Sequence, residues 1–249
     1  MLTSEDLSAP AELDRGATEQ VMCALRAVRP ALGGLGYGLA TRWDHAFAEW
    51  HPTEFRLASR MSPRRRSDFL GGRTAVRRAL ADARLPQPIE PILIGDDGEP
   101  CLPAGVAASI SHSRGIAIAL AAPADRFSAV GVDVELSGLP GEAAHLLLTE
   151  PERAWLDGGR SPGQREHRLL AAFSAKESAR KALDRALVGR SLRQIHLIPG
   201  SDSFIAWPRD RRDMRLRVWV RPIGTGVLTW TAVPASRSPV GIASRSRSG

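Results

Sequence analysis

The 249-residue chain is 43% hydrophobic and 24% charged, ordinary globular values that exclude a disordered or fibrous chain. No apolar run approaches the roughly 18 residues of a membrane span, and the polar, acidic N-terminus lacks a secretory signal's order. Two cysteines, Cys23 and Cys101, suit neither a disulfide framework nor a metal site; a cytoplasmic chain is expected, and a net charge of +7 favours anionic partners.

Residues 1–15 read as loose. Val21, Met22, Leu25 and Val28 recur at helical spacing, and Pro30 ends that helix. The glycine-rich segment 33–42 suits a strand. Pro52 opens a helical stretch to about Ser59, and Ser62-Pro63 caps a long amphipathic helix over 64–85 with an arginine-heavy outer face. Pro86, Pro88 and Pro91 break it. A short strand over 92–94, a turn over Gly95–Gly98 and a hairpin follow, with strands at 107–111 and 116–122. Another strand spans Phe127–Glu135. Helices are predicted over 142–157 and 166–187, joined by a polar linker at 158–164. Strands near 192–198, 203–207, 214–221 and 226–233 precede a disordered tail from about 235. Without steady βαβ alternation, the pattern predicts an α+β fold with antiparallel sheets.

Four constellations carry chemistry. In Val130–Glu135 the valines point one way, while Asp133 and Glu135 point the other, about 7 Å apart by strand geometry. One divalent ion could bridge them; an edge strand with a solvated acidic face is the bland alternative. On the helix Phe173–Lys181, Phe173, Glu177 and Lys181 share one face, with Lys176 beside Glu177 around the turn. A surface Glu–Lys pair is the simple reading, yet only two of the chain's 34 basic residues are lysines, Lys176 and Lys181, and both fall here. Ser109-Ile110-Ser111-His112-Ser113-Arg114-Gly115 offers hydroxyls, an imidazole and turn amides that suit a phosphate, or is merely a polar hairpin tip. A serine nucleophile activated by His112 fits poorly, because adjacent strand residues face opposite ways. The basic helix carries Arg65, Arg66, Arg73 and Arg77 near one another, for anion binding or as a solvated face.

In order, these segments resemble the phosphopantetheinyl transferases, specifically the large monomeric type that includes siderophore-synthesis members. The matching stretches are Arg65–Phe69, Gly72-Arg73, Ala75–Leu80, Gly98–Pro103, Ser109–His112, Gly131–Glu135, Leu148–Arg153 with Glu152 at the matching acid, and Phe173–Ala182. The likeness spans about residues 50–190. It implies two similar α/β halves related by a pseudo-twofold axis, with the active site in the cleft between them. The boundary is placed near residue 125, giving a coenzyme A-binding half (1–125) and a metal-binding half (126–249). The implied reaction moves 4′-phosphopantetheine from coenzyme A to a serine of an acyl- or peptidyl-carrier protein, with Mg²⁺, releasing 3′,5′-ADP. By the same resemblance Asp133, Glu135 and Glu177 hold Mg²⁺, and Glu177 takes the serine proton. Lys176 and Lys181 counter phosphate charge, and Arg65, Arg73, Ser111 and His112 hold coenzyme A. A monomer serving siderophore, nonribosomal peptide or polyketide synthesis is implied, with no nucleic-acid partner. One departure stands out: relatives often carry a lysine just before the glycine that precedes Gly-Glu-Pro, and this chain has Ile94. The competing readings are a basic nucleic-acid-binding protein, which the scarcity of aromatic residues disfavours, and a non-catalytic coenzyme A- or carrier-binding relative.

Overall fold

Val21, Ala24, Leu25 and Val28 form the buried stripe of α1 (Ala11–Val28), which a short 3₁₀ turn containing Pro30 closes. After β1 (Gly36–Thr41), α2 (Pro52–Ala58) starts at a cap in which His51 Nδ1 accepts from Thr53 N and Glu54 reaches back to His51 N. Ser62-Pro63 opens α3 (Pro63–Asp82) as the sequence predicts. A hairpin of β2 (Val106–Ser113) and β3 (Ile116–Pro123) turns on Arg114-Gly115, both at positive φ, the twist that two-residue hairpin loops need. Then come β4 (Phe127–Glu135), α4 (Ala143–Leu147), α5 (Glu150–Asp157) and α6 (Pro162–Ala182), followed by β5 (Ile195–Pro199), β6 (Ser203–Pro208), β7 (Leu216–Ile223) and β8 (Gly226–Pro234). This computed structural model describes residues 11–41, 44, 50–95, 98–159, 161–183 and 191–235. Residues 1–10, Asp96-Asp97, the predicted helix end at 184–187 and the tail from 236 lie outside them.

The strands form two antiparallel sheets, ordered β1-β3-β2 and β4-β8-β7-β6-β5. Each half lays one long helix across its sheet. The α3 face is alanine-rich, with Ala75 and Ala79 against Ala117, Ala119 and Ala121. The α6 face is bulkier, with Leu169, Leu170 and Ala175 against Ile195, Phe204 and Val218. Both helices ride close to a strand glycine: a Cβ at Gly38 would overlap the Ala75 carbonyl, and one at Gly131 the Ser178 carbonyl. The halves share a third core, where Val130, Val132 and Val134 of β4 meet Leu25 of α1, Ile118 and Leu120 of β3, and Trp230 of β8. Each such fully buried aliphatic side chain contributes roughly 1.5–3 kcal/mol, so this core joins the two sheets into one unit.

The α+β class is as predicted, and five local expectations are corrected, the first being residues 11–15, expected to be loose but part of α1. The helix expected over 142–157 is two helices, because Leu148 is extended and Pro151 can sit only in the first turn of a new one. The linker expected to reach residue 164 ends at Ser161, whose hydroxyl accepts from Gln164 N and starts α6. The strand expected over 92–94 shrinks to one bridge, Ile94 to Pro100. There Ile92 N donates to Glu54, and Arg73 occupies the Ile92 and Leu93 carbonyls. Residues 192–194 form a 3₁₀ turn ahead of β5. Among the described residues no helix is long and apolar enough to cross a membrane.

Candidate active site

Ser109, Ser111 and Ser113 alternate along β2 and therefore share one face. Their hydroxyls accept from Val132 N (3.1 Å), Val134 N (3.2 Å) and Leu136 N (3.1 Å). The amides of β4 that β8 does not pair are thus met by side chains of the other sheet, and a serine seam stitches the halves together. The motif that looked like a phosphate loop or a polar hairpin tip is in large part this seam.

The seam sets the acids in place. Asp133 is buried, and its Oδ1 accepts from Ser111 Oγ and Lys181 Nζ, each at 2.8 Å, while Oδ2 accepts from Ser174 Oγ at 2.8 Å. Ser174 Oγ also meets Thr229 Oγ1 at 2.9 Å, and Thr229 Oγ1 meets Ser178 Oγ at 2.6 Å. Lys181 donates a second bond to Val132 O at 2.8 Å. Two residues on, burial pushes the Glu135 carboxyl up to about 7, and the negative charges of Asp133 and Glu177 add to the effect against the pull of Lys181 and a Ser113 hydrogen bond. Glu177 accepts from Arg180, at 3.2 Å from Nε and 2.5 Å from Nη2. Glu135 therefore feels carboxylates both on its own strand and on α6. Among the described residues, no three His, Cys, Asp or Glu side chains close as a metal cluster.

Beside the acids lies a cavity of about 370 Å³. Its walls include Arg65, Phe69 and Arg73 of α3, Ser109 and His112 of β2, and Arg180 and Lys181 of α6. Arg73 is buried and stacked on Phe69, 4.1 Å from the ring centroid, with Nε and Nη2 donating to Ile92 O and Leu93 O at 2.8 Å. Burial pulls its pKa down to about 10, so it keeps its charge at neutral pH. Burial also lowers the His112 pKa, helped by Lys181 and Arg65, although Asp68 stands 3.7 Å away and opposes the shift. Ile94 lines the same cavity.

Asp133, Glu135, Glu177 and Lys181 are brought together, and Arg65, Arg73 and His112 stand across the cavity. Two expected residues are placed elsewhere. Lys176 is fully buried on the opposite side of α6, where Nζ donates to Glu152 Oε2 (2.7 Å), Leu147 O (3.0 Å) and Leu192 O (3.3 Å). One residue along a helix is a turn of about 100°, enough to send Lys176 into the core while Glu177 faces the cleft. Glu152 completes this knot by accepting from Thr149 N and Leu197 N. Ser111 lies in the seam, its hydroxyl shared between Asp133 and Val134 N. Arg66, one of the basic-helix arginines, spends its guanidinium on Ala58 O and Ser59 O. Reading the residues missed Asp68, Arg180, Ser174 and Thr229. Arg180 had a signal, being three residues from Glu177 on a helix; Thr229 had none, because only sheet register delivers it.

Comparison with known proteins gives the family. The model of the 4′-phosphopantetheinyl transferase N-terminal domain matches residues 53–122, and that of the 4′-phosphopantetheinyl transferase superfamily matches residues 129–220. The chain belongs to the phosphopantetheinyl transferase superfamily. Within it, the similarity is to the large type. The chain is 38% identical to 4′-phosphopantetheinyl transferase Svp of Streptomyces mobaraensis, over 56% of this chain and 59% of that protein. It is 35% identical to Npt of Nocardia iowensis (53% and 58%) and 35% identical to PptT of Mycobacterium tuberculosis (53% and 56%), both also 4′-phosphopantetheinyl transferases. The alignments thus span under three fifths of these relatives' lengths. A crystal structure of Thermotoga maritima holo-[acyl-carrier-protein] synthase matches with a TM-score of 0.33 and 18% identity, over 41% of this chain and 61% of that one, too slight a likeness to bear on mechanism. The nucleic-acid and non-catalytic alternatives are not favoured by these relatives.

Proposed function

We propose that the protein transfers 4′-phosphopantetheine from coenzyme A to a serine hydroxyl of an acyl- or peptidyl-carrier protein, releasing 3′,5′-ADP. The observation that carries this reading is a cavity of about 370 Å³ walled by Arg65, Arg73, His112 and Lys181, with Lys181 bound to Asp133 and the charges of Asp133 and Glu177 acting on Glu135.

The donor set suits a hard divalent cation: all three groups are carboxylates, and at Glu135, raised first by burial and then by the charge of Asp133, such a cation would offset the negative charge. Asp133, Glu135 and Glu177 would hold Mg²⁺, which when bound supplies neutralisation of pyrophosphate charge. Arg65 and His112 would bind the phosphates of the adenosine end. Arg73 would add its Nη1, the rest of its guanidinium being anchored on Ile92 and Leu93. Lys181 has two protons committed to Val132 and Asp133, which leaves a third for the phosphate under attack. The carrier serine oxygen forms the new bond to the β-phosphorus, the bond to 3′,5′-ADP breaks, and Glu177 accepts the serine proton. Ser111 and Ser174 would act through Asp133, fixing its two oxygens. Lys176 takes no part in this scheme, and its knot with Glu152 supports α6 from behind. The same reading places the protein in the cytoplasm as a monomer, divided near residue 125, serving siderophore, nonribosomal peptide or polyketide synthesis.

The test is a mass measurement. Protein incubated with Mg²⁺, coenzyme A and apo carrier protein is expected to raise the carrier's mass by one phosphopantetheine. Unchanged masses across acyl- and peptidyl-carrier substrates would overturn the reading.

A further inference from the structure

Two cations of α6 stand at the cavity wall, and they are committed differently. Lys181 binds the backbone of β4 and Asp133, contacts that anchor α6 to its sheet. Arg180 binds only Glu177 among the described residues, through Nε and Nη2, with both side chains about one fifth to one quarter exposed. One guanidinium thus touches the proposed proton acceptor and also faces the space where phosphates would enter. Arginine's planar fork matches phosphate at least as well as carboxylate. A multiply charged phosphate in the cavity therefore competes for the group that holds Glu177.

We propose that Arg180 is a phosphate-released latch on Glu177. Bound to Arg180, Glu177 has its charge offset and its carboxylate turned to the guanidinium, which weakens the triad of acids as a cation site. Phosphate drawing Arg180 away returns that carboxylate to Asp133 and Glu135. Arg180 thereby does two things: it contributes to coenzyme A binding, in a cavity where Ile94 offers no charge, and it makes coenzyme A and the divalent ion tighten each other, since coupling between sites is reciprocal. This inference rests on the transferase reading for the identity of the phosphate ligand.

The experiment measures coenzyme A binding in EDTA and Mn²⁺ binding without nucleotide, each by calorimetry on the full chain, for wild type, Arg180→Ala and Arg180→Lys. Loss of one charge-assisted contact at a partly exposed site is expected to weaken coenzyme A about tenfold in Arg180→Ala. The same variant is expected to bind Mn²⁺ about fivefold more tightly, the low end of a typical coupling. A damaged fold would weaken both, so the opposite signs are the signature of the latch. Arg180→Lys keeps the charge and is expected to restore both constants most of the way. Unchanged or weaker Mn²⁺ binding in Arg180→Ala overturns the latch, as does unchanged coenzyme A binding. If wild type modifies carriers and binds coenzyme A while Arg180→Ala shows neither change, the latch fails and the transferase reading stands. If wild type neither binds coenzyme A nor modifies carriers, both fall.

Discussion

Replacing Glu135 by glutamine tests the burial and charge around this carboxyl without invoking turnover. In the folded chain this carboxyl is pushed from its ordinary 4.5 up to about 7, chiefly by burial and then by the charge of Asp133. The native state therefore holds the Glu135 proton more tightly than the unfolded chain does. Stability from that proton is fully present below about pH 4.5 and is lost as pH rises through about 7. At about 1.36 kcal/mol per pH unit the full displacement is worth at most about 3.4 kcal/mol. Because the side chain is partly open to solvent, screening reduces this to about 1.5 kcal/mol. Glutamine is neutral throughout. Glu135→Gln is thus expected to match wild type at pH 4.5 and to be about 1.5 kcal/mol more stable at pH 8.5, a rise in melting temperature of roughly 3–6 °C for a chain of this size. Urea unfolding in EDTA at the two pH values reads this directly, as a shift in midpoint at constant slope. An equal gap between the two proteins at both pH values, or a less stable variant at pH 8.5, would refute the raised Glu135 carboxyl.

Lys176→Met leaves Glu152 buried without its cation, and urea midpoints are expected to show a loss of about 3–5 kcal/mol, partly recovered by adding Glu152→Gln. If carrier modification fails while the Lys176→Met fold keeps its full stability, Lys176 acts in chemistry after all. Gly131→Ala drives a methyl into the Ser178 carbonyl and must push α6 off β4, so soluble yield and melting temperature are expected to fall far more than for Gly163→Ala, where a Cβ meets nothing within 4 Å. Ser111→Ala orphans Val134 N and removes one Asp133 contact, a loss of about 1–3 kcal/mol by urea unfolding. Ser111→Thr, which keeps the hydroxyl, is expected to lose less.

Much of the local geometry was legible because strand and helix periods are short-range facts. The alternation Val130-Gly131-Val132-Asp133-Val134-Glu135 puts valines on one face and acids on the other, and the structure lays the valines in the shared core and Asp133 against Lys181 of α6. The Phe173–Lys181 segment places Glu177 and Lys181 on one face. Periodicity was less useful where side chains replace backbone partners. Ile92–Ile94 has a strand's composition, but Glu54 and Arg73 take its hydrogen-bonding groups from elements 38 and 19 residues away. The serine motif looked like a ligand loop for the same reason: hydroxyls that bind phosphate also bind amides, and nothing local says which is near.

Local order along the chain, then, determined the α+β class, the helix and strand types, and the faces on which Asp133, Glu135, Glu177 and Lys181 stand. These follow from backbone geometry that each residue carries with it. What the fold alone decided is which faces meet. Sheet register sets Thr229 opposite Asp133 and the packing of α6 on that sheet brings Ser174 to both, the seam on β2 sets the first half's arginines across from the second half's acids, and the turn between Lys176 and Glu177 sends one charge into the core and the other to the partly exposed side beside Arg180. Such meetings depend on the packing of elements tens of residues apart, and only the buried cores that close the chain select among them.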